Sequence, residues 1–288
     1  KPVEKQARAE APKHQKPAAK PQANKQNQPR IHWKFPEAAK FGRVIPKEKL
    51  YSQAGANAEL KQLFVEQVAQ IKWSFKLAES TINLAKTEQV HELEVIQIKL
   101  KAQTLDEKIL TAIDKAIPHP TLFMLTRDSK QDDKVKGENE EEPAEQEIAY
   151  QAAHKLKTFT QSNKEKWQQS AYLKSQWLVP SRQHAAPLPA ATSLENLYSQ
   201  LLEALIPLGF QAAKNLQEPK SVYEHSKPQQ KKRSLEDRLA DLAAIEALNK
   251  QIEQTKAKRD KEKQFNRKRE LNDQFKALNK QLAALHSG

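Results

Sequence analysis

The sequence predicts an α+β protein: a small mixed or antiparallel sheet packed with helices, followed by a long C-terminal helical arm, either a coiled coil or a helical hairpin. Three observations carry this. Strand-like and helix-like spacings of apolar residues follow one another through residues 31–180. A stretch from Ser234 to Leu285 contains no glycine or proline and is apolar at both ends and basic between them. Finally, 38% hydrophobic residues in a chain of 288 suffice for one modest core plus extensions.

Residues 1–30 carry eight Lys or Arg against two Glu, with Val3 the only large aliphatic residue. Such a segment buries too little surface to offset its ordering entropy, so a disordered basic tail is expected. At Ile31 the texture changes, with Trp33, Phe35, Phe41, Val44 and Ile45 close behind, and the α+β domain of residues 31–180 begins. Leu60, Leu63, Phe64, Val68, Ile71 and Phe75 fall at helical spacing and predict an amphipathic helix over 58–78. Leu93, Val95, Ile96, Ile98 and Leu100 predict a half-buried strand over 90–100. A second helix, Leu105 to Ile117, is stopped by Pro118 and Pro120, and a short apolar strand, Thr121 to Leu125, follows. Charge dominates 128–147, which reads as an acidic surface loop, and two further strands are expected over 147–157 and 170–178. Residues 181–232 form a linker, with Pro187 and Pro189 near its start and one helix over 194–210.

The arm, residues 233–288, starts at Ser234, which with Asp237 resembles an N-cap motif. Leu235, Leu239, Leu242, Ile245, Leu248 and Ile252 line one helical face, and Phe265, Leu271, Phe275, Leu278 and Leu282 form a second apolar set. These residues are the expected partner interface, and a homo-oligomer could form through the same seam. Without a Gly or Pro breaker, one continuous helix of roughly 75 to 80 Å is favoured over a hairpin folded at the polar middle.

Composition narrows the chemistry. A net charge of +13 and a pI near 9.6 favour polyanionic partners, nucleic acid first. Five glycines and no GxxxxGK[ST] pattern argue against a phosphate-cradling enzyme, and the lack of cysteine excludes disulfides, zinc fingers and thiol catalysis. Zinc held by histidine and carboxylate stays formally open, but no metal or cofactor is expected. No apolar run approaches the roughly 18 residues of a membrane span, and the N-terminus lacks a secretory signal, so no membrane partner and a cytoplasmic location are expected.

Several motifs are recognisable. Phe35-Pro36 and Lys40-Phe41-Gly42-Arg43-Val44-Ile45-Pro46-Lys47 are followed by Val65-Glu66-Gln67-Val68 and Ile71-Lys72-Trp73-Ser74-Phe75-Lys76-Leu77-Ala78. Thr81-Ile82-Asn83-Leu84, Ile113-Asp114-Lys115-Ala116-Ile117-Pro118-His119-Pro120 and Lys261-Glu262-Lys263-Gln264-Phe265-Asn266-Arg267-Lys268 come after them in order. Together they resemble the bacterial domain-of-unknown-function 4391 family from about Trp33 to Leu285. That resemblance implies a place beside DNA methyltransferases and helicases in clusters similar to restriction-modification or phage-defence systems. It implies a protein partner of that kind and supplies no catalytic motif.

A restriction context raises the question of a metal-dependent nuclease, which needs carboxylates for the metal and a lysine to orient water. Glu92 or Glu94 with Lys99 are the nearest candidates, although Gln97 stands where such a site wants an acid. His119, fixed between two prolines, is a candidate acid, base or phosphate contact, but no carboxylate or second histidine close in sequence completes a site. For nucleic acid, Arg43 and Lys47 flank an aromatic and a glycine, and Lys256, Lys258, Arg259, Lys263, Arg267 and Lys268 crowd the arm's middle. Between Lys250 and Arg269, nine cations face three acids, enough to bind DNA in a salt-dependent way. The leading expectation is a non-catalytic accessory subunit that docks a methyltransferase or helicase and contacts DNA. A divergent nuclease and a coiled-coil oligomerisation scaffold are the alternatives.

Overall fold

The computed structural model describes residues 28–129, 145–159, 165–207 and 234–287. Nearly all of the basic tail, most of the acidic loop and the second half of the 181–232 linker lie outside the described residues. A six-stranded mixed sheet forms the centre, in the order β2 (Lys40–Val44), β3 (Val68–Ala78), β4 (Glu92–Leu100), β5 (Thr121–Asp128), β6 (Gln146–Ala152) and β9 (Leu173–Lys174). Only β4 and β5 are parallel, joined by the crossover helix α4 (Glu107–Ala116). Two small pairs flank the sheet: parallel β1 (Trp33–Lys34) with β10 (Ala186–Pro187), and the antiparallel hairpin β7 (Lys155–Phe159) with β8 (Glu165–Gln169).

β4 is buried on both faces, not half-buried, because alternation sends its side chains into two cores. Ile96, Ile98 and Leu100 pack with α1 (Lys47–Ala54), α2 (Ala58–Gln67) and α4. Leu93 and Val95 pack on the other side with Trp33, Tyr150 and α5 (Leu194–Leu205). Asp106 and Ser193 cap the N-termini of α4 and α5 with their side chains.

The helix expected over 58–78 is helical only to Gln67; from Val68 the chain is β3. Its period misleads for a physical reason. β3 pairs with β4 through two register shifts, at Val68/Gln70 and Trp73/Phe75, so extra residues separate its buried positions. Val68, Ile71, Ser74 and Leu77 are therefore buried at intervals of three, a helical signature on a bulged strand. The strand expected over 147–157 divides at Ala153 and His154 into β6 and β7, and that over 170–178 shrinks to β9 plus a bridge between Leu178 and Ile148. α1, β2 and β8 were not foreseen at all.

The arm is not one continuous helix. α6 (Leu235–Lys261) and α7 (Phe265–Ser287) are separated at residues 262–264. Ser234 and Asp237 form a reciprocal capping box that starts α6, at 3.1 and 3.2 Å. At its end Glu262 turns extended, and its carboxylate accepts the backbone N–H groups of Lys263 and Gln264, both at 2.9 Å. The carboxylate thus satisfies the amides of a break that contains neither glycine nor proline. The two helices touch: the Arg259 guanidinium lies 4.9 Å from the Phe275 ring centroid. The foot of α6 belongs to the domain, because Leu235 and Leu239 are buried in the same core as α5, with Leu242 packed against it.

Candidate functional site

The start of β4 and the turn from α4 into β5 assemble a group of buried and half-buried ionisable side chains. Pro118 and Pro120 restrict the turn, which is held from both sides. The Glu94 amide donates to the Pro120 carbonyl at 2.9 Å, and Thr121 Oγ1 donates to the His119 carbonyl at 3.0 Å. Buried Lys155 donates to the carbonyls of Asp114, Ile117 and His119 at 3.0, 3.0 and 2.9 Å, so its ammonium caps the C-terminus of α4. Asp114 Oδ1 completes that ion contact at 2.7 Å, while Oδ2 accepts from Tyr172 at 2.5 Å and Gln169 at 3.2 Å. Burial pulls Asp114 up and Lys155 down, and each opposes the other's shift by its charge. This pair reads as the clamp that fixes the turn.

With the turn fixed, the His119 ring meets β4. His119 Nε2 lies 3.2 Å from Glu92 Oε1, and Lys76 Nζ lies 2.5 Å from Glu92 Oε2. Glu94, fully buried, accepts a hydrogen bond from the Trp73 indole through Oε2. Its other oxygen, Oε1, meets no donor, and a proton on it directed at Glu92 satisfies both carboxyls. Burial first, and then Glu92, push the Glu94 carboxyl up to about 8, so it is neutral at pH 7. Burial opposes ionisation of Glu92 as well, but hydrogen bonds from Lys76 and Glu94 and the nearby charges hold it below the usual carboxylate range. Burial also lowers His119, against the pull of Glu92. The result is a neutral acid, a carboxylate and a neutral, half-exposed imidazole in series, an arrangement able to hold and pass a proton.

Three of the four sequence candidates therefore come together. Lys99 does not: alternation along β4 puts it on the opposite face of the sheet from Glu92 and Glu94, so the Glu–Lys pairing of a nuclease reading is not formed. Lys76 on β3 occupies the place beside the carboxylates instead. Lys76 and Trp73 escaped sequence reasoning because residues 68–78 read as helix; plain strand alternation would set the two on opposite faces, and only the bulge between Trp73 and Phe75 brings both to the face of Glu94. No three His, Asp or Glu side chains among the described residues are grouped to hold a metal ion.

The nucleic-acid candidates divide into engaged and free groups. Lys47 is spent on structure, donating to the carbonyls of Phe64 and Val68 at 3.2 and 2.6 Å, and burial with the nearby Lys101 charge lowers its pKa. Arg43 lies over the Phe41 ring at 4.8 Å and is exposed. Arg259 is half-buried, paired with Asp260 at 2.9 Å and stacked on Phe275. Lys256, Lys258, Lys263, Arg267 and Lys268 are exposed, and Lys258 and Arg267 border a cleft where α6 meets α7. Of the interface candidates, Leu235 and Leu239 are covered by this chain's own core, Leu242 packs against that core, and Ile245 and Ile252 are buried. Leu248, Leu271, Phe275, Leu278 and Leu282 are half-buried, and Phe265 is 77% exposed.

These features define a mixed α+β protein with two C-terminal helices, the first of them rooted in its own core. The chain belongs to the family described as Domain of unknown function (DUF4391), which matches residues 34–282. No curated protein and no solved structure matches it. Among the described residues no helix is long and apolar enough to cross a membrane.

Proposed function

We propose that this chain is a non-catalytic accessory subunit of a bacterial DNA-modification or anti-phage defence complex, which docks a methyltransferase or helicase and contacts DNA. The two arm helices are a hairpin whose apolar faces close on each other and whose bend meets the phosphate backbone. One observation carries the DNA contact: Lys256, Lys258, Lys263, Arg267 and Lys268 are exposed around the break at residues 262–264, on an arm whose foot is anchored in the domain core. Phe265, 77% exposed at the bend, and the edges of Leu271, Phe275, Leu278 and Leu282 that the first arm helix leaves uncovered form the protein-docking side. Binding of a short DNA duplex, followed by fluorescence anisotropy over a salt series, tests this. Lys263→Gln, Arg267→Gln and Lys268→Gln together should flatten the log K against log salt slope by about 2.7, three phosphate contacts' worth. Unchanged affinity and slope would remove the arm from DNA. A partner-free oligomer that ignores DNA would instead favour the scaffold reading.

The Glu92–Glu94–His119 group supports a second reading, hydrolytic chemistry with His119 as base and Glu92 orienting it. Cleavage of DNA by the purified protein, with or without magnesium or manganese, and its loss in His119→Gln, would favour that reading over the accessory one.

A further inference from the structure

We infer that the sheet face opposite the buried acid cluster is a second polyanion-binding surface, built on Lys72 and Lys99 and fitted to a nucleic-acid phosphate backbone. The pairing registers define it. Val44, Lys72 and Gln97 lie side by side across β2, β3 and β4, and Gln70 and Lys99 form the next row. Antiparallel partners point to the same side, so these side chains share one face, and alternation sets that face opposite Ile71, Ile96 and Ile98. Gln70 and Lys99 are exposed, Val44 is 57% exposed, and Lys72 and Gln97 are half-exposed.

Charge and amide donors together mark this face. Several surface cations of the domain are matched, Lys76 with Glu92, Lys108 with Glu59, Arg127 with Glu147, Lys174 with Glu107 and Arg182 with Glu145, while others such as Lys34 and Lys86 stand singly among the described residues. Lys72 and Lys99 pair with no carboxylate among the described residues, and neither row across β2, β3 and β4 contains an acid. They also sit diagonally across β3 and β4, where like charges repel at a cost to the fold. Two unneutralised ammonium groups with amide donors on either side of the diagonal match successive phosphates, which accept hydrogen bonds and neutralise both charges. The sheet and the arm bend are separate surfaces, so this inference extends the DNA-contact reading without needing the arm to be right.

A set of four proteins tests it: wild type, Lys72→Gln with Lys99→Gln, the arm triple variant described above, and all five substitutions combined. Each is titrated with a short DNA duplex and with polyglutamate over a salt series, and melted without ligand. The sheet pair should flatten the DNA salt slope by about 1.8, two phosphate contacts' worth, and should melt no lower than wild type, because a repulsion is relieved. An unchanged slope in the sheet pair overturns this surface whatever the arm does. An unchanged slope in the arm variant alongside a reduced one in the sheet pair overturns the arm and leaves this surface standing. Polyglutamate bound as tightly as DNA, and equally weakened by the sheet pair, would assign the face to an acidic protein segment and overturn the nucleic-acid assignment.

Discussion

Glu94 is the residue whose environment departs furthest from water, and its protonation state is open to measurement. Its carboxyl is raised from an ordinary 4.5 to about 8, so the folded protein holds a proton that the unfolded chain releases between those values. The stability this contributes is present in full below about pH 4.5 and is lost as pH rises towards 8. His119 works in the other direction, since its lowered pKa costs stability as the solution is acidified through the ordinary histidine range. Glu94→Gln isolates the first effect: the amide still accepts from Trp73 and donates to Glu92, without a titratable group. The variant should gain on wild type as pH rises from 5 to 8, by up to several kcal/mol at about 1.4 per pKa unit, read from urea midpoints at each pH. Parallel profiles for the two proteins would show Glu94 ionised throughout. Little of this was legible in the sequence. Glu92, Glu94 and His119 each drew attention singly, but the contact between the first and last depends on the α4–β5 turn lying against the start of β4, which no local spacing encodes.

At the scale of elements, legibility followed backbone regularity. The expected helix over 105–117 agrees with α4 within two residues because its apolar stripe and the prolines after it agree, that over 194–210 starts with α5 at Leu194 but runs past its end at Leu205, and β4 is legible because its backbone alternation is unbroken. β3 was misread because its bulges imitate a helical period, and the arm's break was missed because no glycine or proline marks it. The Glu262 contact makes a prediction. Glu262 accepts the first two free amides beyond α6, so Glu262→Ala leaves them to water and should cost about 1 kcal/mol at the bend. With no glycine or proline in the way, α6 and α7 should then tend to fuse, and Lys258 and Arg267 should move apart. Paired spin labels at Lys256 and Glu270 report this as a lengthened distance; an unchanged distance would mean that packing between the helices, not the cap, sets the break.

For the whole molecule, the question is whether arm and domain are one cooperative unit. Charge and periodicity suggested an arm separable at about residue 233, yet the first two leucines of α6 are core residues shared with Trp33, Tyr150 and α5, and Arg238 adds an ion contact to Glu203 at 3.7 Å. Leu239, 8% exposed, should therefore behave as a domain residue: Leu239→Ala should cost about 2 to 4 kcal/mol, while Leu278→Ala, half-buried beyond the break, should cost clearly less. Tryptophan emission during urea unfolding is a suitable probe, since the tryptophans lie in the domain and none in the arm. If Leu239→Ala left that transition in place, the arm would be an independent appendage. If the transition shifts, removal of the arm opens the domain core. Loss of DNA or partner binding on truncation would then report damage to the fold rather than a missing contact, and only surface substitutions at the bend and on the sheet can tell the two surfaces apart.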